Sequence, residues 1–224
     1  MPESFQLPAR HAQSARALMP RILAVLSLAC CVLLGTPALA GAETRMTDIV
    51  CGVTAEERGL ADSDLPDIEA AQAIVMDPNG TVYFERDADT QTKIASITKV
   101  MTAIVALENA DLSTTITVDH AAATVGESTA HLQEGDTLTL ETALRALLIP
   151  SGNDAAMAIA TTVGAIIDPA STDPYATFIQ AMNDKAAELG MDATFTNPHG
   201  LDFGDWAGDM HASARDVVTM WGTI

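Results

Sequence analysis

The chain has 224 residues, 48% of them hydrophobic and 18% charged, which is the composition of a folded protein with a real core. A net charge of −19 argues against nucleic-acid binding and against adsorption to anionic lipid, because phosphates would repel the chain. With aromatics at only 4%, the core must come from Ala, Leu, Ile, Val and Met, a composition that favours helices of small residues.

Residues 1–40 read as a leader. Arg21 precedes an apolar run from Ile22 to Gly35, and Ala38-Leu39-Ala40 supplies a small-residue cleavage signature. This predicts a secretory signal peptide cut after Ala40, with translation starting at Met1 or Met19. The apolar run is too short to span a bilayer comfortably, and no other segment reads as a membrane anchor. Removing Glu3, Arg10, Arg16 and Arg21 takes the net charge from −19 to −21. Cys30 and Cys31 leave with the leader, so Cys51 remains alone without an intramolecular partner. Nothing cationic lies near Cys51 in sequence, and it reads as incidental.

Residues 41–70 are polar and acidic without a sustained period, and read as an N-terminal extension or linker. Order is expected over 71–224. Ala73–Met76 and Thr81–Phe84 flank the turn signal Asp77-Pro78-Asn79-Gly80 and predict a β-hairpin. From Ser96 to Glu108 the pattern is helical and apolar almost all round, the mark of a buried helix. Residues 114–118 and 137–140 read as short strands. A helix is expected over 141–149, ending before Pro150. Another begins near Ala155, and an amphipathic one covers 174–189 with Gly190 at its C-terminal cap. Ser213 and Asp216 predict a capped start to a last helix over 214–221.

Two stretches carry possible chemistry. "KIASITKVMTA" places Ser96 and Lys99 one helical turn apart, hence side by side. A serine becomes a nucleophile when a base takes its proton, and a lysine serves as that base once desolvation lowers its pKa. A buried helix supplies the desolvation. Taken alone, the pair equally fits a helix N-cap and a snorkelling lysine. "LLIPSGNDAA" then places Ser151 and Asn153 in a tight loop between two helices. A serine there can relay a proton, and an asparagine amide can hold a substrate amide from both sides.

Together with "TFTNPHGLD", these stretches resemble the D-alanyl-D-alanine carboxypeptidases, the low-molecular-mass penicillin-binding proteins among the penicillin-recognising serine enzymes. The resemblance runs from about residue 70 to the end of the chain. It implies an α+β fold of the β-lactamase/transpeptidase type, an antiparallel sheet flanked by helices with a helical insert. It implies Ser96 as acylated nucleophile, Lys99 as proton acceptor, Ser151 as proton relay and Asn153 as substrate-binding residue. The substrate would be a peptidoglycan stem peptide, in cell-wall biosynthesis and the maintenance of cell shape. β-Lactams would be covalent inhibitors, and no metal or organic cofactor would be needed. The chain departs from the pattern in one respect. None of Lys93, Lys99 and Lys185 precedes a Thr-Gly pair, so the third motif of these enzymes is absent. The expectation is a C-terminally incomplete domain, inactive or nearly so by itself.

Other readings have less behind them. A Ser-His-Asp triad has candidates in His120, His131, His199 and His211, but no spacing that identifies one. "HGLDFGDWAGDMH" fits neither a zinc nor a calcium site and reads as a polar loop beside the cleft. A β-lactamase would share both motifs, yet Glu188 is the only glutamate after Asn153 and lies within a helix. A non-catalytic penicillin-binding or wall-interaction protein on the same fold is the alternative that the missing motif favours.

Overall fold

The computed structural model describes residues 45–223; the leader expected over 1–40 lies outside them. The strands are β1 (Ile49–Val50), β2 (Val53–Thr54), β3 (Ala73–Met76), β4 (Val82–Arg86), β5 (Thr115–Thr117) and β6 (Thr137–Thr139). The helices are α1 (Ala55–Arg58), α2 (Thr98–Asn109), α3 (His120–Thr124), α4 (Leu140–Leu148), α5 (Asn153–Ile167), α6 (Pro174–Glu188) and α7 (Ala214–Trp221). An antiparallel sheet in the order β2-β1-β4-β3 stands beside the helices, and β5 pairs with β6 in a separate small ribbon. This is an α+β architecture.

The hairpin forms as its turn residues dictate. The Asp77 carboxylate accepts from the backbone N–H groups of Asn79 and Thr81, closing the turn between β3 and β4. Of the segment read as an N-terminal extension or linker over 41–70, residues 45–70 are described. From Arg45 onward it is built into the domain, with β1 and β2 extending the sheet beyond β4. The buried Asp48 carboxylate anchors it, accepting from Arg86 Nε at 2.9 Å and Nη2 at 2.6 Å. Two-residue strands show no alternation, and the partner that holds Asp48 is far away in sequence. Neither leaves a local trace. Helix α3 was likewise unread; five residues are too few to show a period, and Asp119 caps it by accepting from the Ala122 N–H.

Helix α2 is buried from Thr98 to Ala106, as its nearly uniform apolar surface predicts. Helix α5 packs beside it through small residues, with Ala155, Ala156, Ala158 and Ala160 fully buried. Gly164 lets α6 approach closely: a Cβ there would lie 1.9 Å from the Pro174 carbonyl oxygen. Helix α6 starts with Asp173 as cap and Pro174 in its first turn. Helix α7 opens with the expected capping box, Ser213 and Asp216 each accepting from the other's backbone N–H. Arg215 then pairs with Glu85 at the end of β4 and with Asp89, tying the last helix to the sheet.

Candidate active site

The start of α2 carries an unusual load for a buried helix. Thr98, Lys99 and Thr102 are all polar and all buried. Each finds a partner in the segment that follows α6. Thr98 Oγ1 lies 3.2 Å from Met210 Sδ, and Thr102 Oγ1 donates to the Pro198 carbonyl at 2.6 Å. Lys99 Nζ donates to the next carbonyl, that of His199, at 2.7 Å. It also lies 3.0 Å from Ser96 Oγ. Ser96 itself is exposed, in the 3₁₀ turn Ala95–Ile97 that feeds directly into α2. A reachable hydroxyl therefore sits on a nearly inaccessible amine.

Burial pushes the Lys99 pKa down from 10.5 to about 8, and the nearby negative charge of Asp154 holds it from falling further. An appreciable fraction of the amine is therefore neutral near pH 8. A neutral amine turns its lone pair on the Ser96 hydroxyl and can take its proton.

The turn that receives Lys99 is held from several sides. Asn197 is buried; its Oδ1 accepts from the N–H groups of His199 and Gly200, and its Nδ2 donates to the Leu201 carbonyl. His199 Nδ1 accepts from the Leu201 N–H, and the imidazole stands perpendicular to the Trp206 ring with centroids 4.4 Å apart. Gly200 has φ +92°, and a Cβ there would lie 1.9 Å from the Ala95 carbonyl oxygen and 2.9 Å from the Ser96 nitrogen. Only glycine allows this turn to back directly onto the peptide that carries the nucleophile. The same 92–97 segment borders a mostly apolar cavity of about 490 Å³, between the β3 edge and α7.

The second motif occupies the loop between α4 and α5. Ser151 is half-buried with φ 60°, and Asn153 is the buried first residue of α5. Asn153 Nδ2 donates to the Gly126 carbonyl at 3.0 Å, which leaves one amide N–H and the Oδ1 without a partner among the described residues. The buried Asp154 carboxylate accepts from the backbone N–H groups of Ala130, Leu132 and Ala155. Together the two residues strap segment 126–132 against the loop. Among the described residues, no hydrogen bond joins Ser151 or Asn153 to Ser96 or Lys99. The link between the two motifs is electrostatic, through Asp154 and Lys99.

The other candidates scatter. His120 faces Glu134 and His211 faces Asp209. Among the described residues, no group of three or more His, Cys, Asp or Glu side chains is arranged to hold a metal ion.

A family model described as D-alanyl-D-alanine carboxypeptidase, peptidase family S11, matches residues 60–224. The chain belongs to this family. It is 33% identical over 159 residues to the D-alanyl-D-alanine carboxypeptidase DacB2 of Mycobacterium tuberculosis, covering 70% of this chain and 51% of that protein. It is 31% identical over 170 residues to DacC of Escherichia coli, covering 70% of this chain and 40% of that protein. The crystal structure of the Streptomyces K15 DD-transpeptidase superposes with a TM-score of 0.63 at 32% identity, over 70% of this chain and 61% of the other. The chain thus spans about half the length of its curated relatives, or less. The architecture is the α+β fold of the carboxypeptidase family.

The sequence names His199 only as a triad candidate and Asn197 and Gly200 only within "TFTNPHGLD"; it assigns no part to Asp154, and none of their contacts is read from it. It presents 199–211 as a polar loop at the rim, whereas His199 and Met210 are core residues packed under α2. A signal was present. Thr98, Lys99 and Thr102 form a polar stripe on an otherwise apolar helix, and buried polar groups require partners. A turn rich in backbone carbonyls, such as the one around "TNPHG", is the kind of partner they need.

Proposed function

We propose that the chain belongs to a secreted serine-type D-Ala-D-Ala carboxypeptidase that acts on peptidoglycan stem peptides through an acyl-enzyme. Ser96 Oγ attacks the carbonyl of the terminal D-Ala–D-Ala bond while neutral Lys99 takes the hydroxyl proton. The Ser96 backbone N–H offers one arm of an oxyanion hole. Ser151 relays a proton to the departing D-alanine amine, and Asn153 holds the substrate's peptide amide with its free amide groups. Water then hydrolyses the ester and restores Ser96. β-Lactams would acylate the same serine. Family membership and the leader read over residues 1–40 support an extracytoplasmic location; no helix among the described residues is long and apolar enough to cross a membrane.

One observation carries the reading: the exposed Ser96 hydroxyl lies 3.0 Å from a lysine whose pKa burial has lowered to about 8. The test is intact-mass analysis after incubation with penicillin, beside an assay for D-alanine released from a pentapeptide. A single adduct on Ser96, absent from Ser96→Ala, together with D-alanine release supports the proposal. The acylation rate should rise with pH through about 8, as Lys99 loses its proton. Labelling at a residue other than Ser96, or undiminished labelling of Ser96→Ala, overturns it. A non-catalytic penicillin-binding protein is the alternative reading. Slow acylation without D-alanine release would select that reading.

A further inference from the structure

The reaction above gives no part to the imidazole of His199, yet few side chains in the domain are more completely enclosed. The residue has no exposed surface. Burial and the charge of Lys99 push its pKa down to about 3, so the ring stays neutral. Its Nδ1 accepts from the Leu201 N–H at 3.2 Å, which places the proton on Nε2, and that atom is buried with no hydrogen-bond partner among the described residues. A buried polar ring with one unsatisfied nitrogen costs stability. A leucine or phenylalanine would fill the space without that cost.

What the ring does is local. It bonds the N–H two residues ahead and rests edgewise on Trp206, so the turn from Asn197 to Leu201 is pinned from inside by its own side chain. The carbonyl of this same residue is the second partner of Lys99 Nζ. We propose that His199 is a positioning residue for the base: its Nδ1 contact with Leu201 fixes the turn so that the His199 carbonyl meets Lys99 and keeps the amine dry against Ser96. The inference rests on the reading of Ser96 and Lys99 as nucleophile and base. The charged group that acts on Lys99 is Asp154, at the start of α5, while the His199 ring beside it stays neutral. The other charges on helices packed against α2 are engaged elsewhere: Lys185 with Glu108 and Glu188, Asp184 with Gln180, Arg145 with Glu141, Arg215 with Asp89, and Asp216 in the cap of α7.

The test reads Lys99 directly. The ¹³Cε resonance of Lys99 is titrated in the wild-type chain, in His199→Asn and in His199→Phe. Asparagine keeps an acceptor near the position of Nδ1, whereas phenylalanine keeps the ring against Trp206 but accepts nothing. The midpoint should stay close to 8 in His199→Asn. In His199→Phe the loosened turn admits water, and the midpoint should rise by about one pH unit. Equal midpoints in all three chains, or an equal rise in both variants, would overturn the proposal. Amide hydrogen exchange at Leu201 in the wild-type chain needs no variant; strong protection is expected, and free exchange would also sink the idea. Penicillin labelling separates this proposal from the one beneath it. A wild-type chain that never labels but shows the Asn/Phe contrast defeats the enzymatic reading alone. A labelling chain without the contrast defeats the positioning role alone.

Discussion

Gly164 and Gly200 each hold backbone against backbone in this domain, and they do so for different ends. Gly164 sits between α5 and α6, where a Cβ would strike the Pro174 carbonyl oxygen at 1.9 Å. Its surroundings are dry and built from small apolar side chains. Gly200 meets the Ala95 carbonyl oxygen at the same 1.9 Å, but it does so at φ +92° in a turn dense with hydrogen bonds. The first contact lets two helices pack. The second sets where a nucleophile stands. Equal closeness therefore predicts unequal consequences: apolar packing spreads an error over many soft contacts, whereas a directional network fails at the atom it was holding.

Gly200→Ala should be the most damaging change, combining a backbone collision with a left-handed conformation that alanine resists. A loss of about 3 kcal/mol or more is expected in denaturant unfolding, and the folded fraction should lose penicillin labelling. Gly164→Ala should cost somewhat less, because alanine regains about 1 kcal/mol of helix propensity. Labelling per folded molecule should stay at the wild-type rate in that variant; a fall as deep as that of Gly200→Ala would erase the distinction between the two contacts. Asp154→Asn should cost about 2 kcal/mol, since an amide nitrogen cannot accept from the backbone donors of segment 130–132. It should also drop the Lys99 midpoint below about 8, because the charge that raises it is gone.

The smallest effect is a pH slope. The folded pKa of Lys99, about 8, lies below its usual 10.5, so the unfolded chain binds more protons between those values. Stability should therefore rise with pH across that window. Unfolding midpoints measured from pH 8 to 9.5 should climb in the wild-type chain relative to Lys99→Met. Parallel curves would mean that the amine is wetter than its burial indicates.

The same contrast explains what could be read beforehand. Elements with a period or a named cap were legible: the 73–84 hairpin, the apolar helix α2, and α7 with its Ser213–Asp216 box. The spacing of Ser96 and Lys99 allowed their contact but left a snorkelling lysine equally open. What stayed hidden depends on residues far apart in sequence. The sheet position of β1 rests on Asp48 meeting Arg86, and Lys99 finds its carbonyl at residue 199. A local pattern can announce that a buried lysine needs a partner, but it cannot name one a hundred residues away.

The Arg215 clamp on Glu85 and Asp89 has a consequence for how the chain is born. It joins the end of the β3–β4 hairpin to α7, and the backbone bridge from Thr92 to Ala212 spans nearly the same sequence distance. Contacts of such separation form late, and a ribosome delivers their second half last. Proteolysis of stalled nascent chains should find the sheet protected only in lengths that include Arg215. Until that residue emerges, nothing clamps α7 to the sheet, and the polypeptide stays open and pliable.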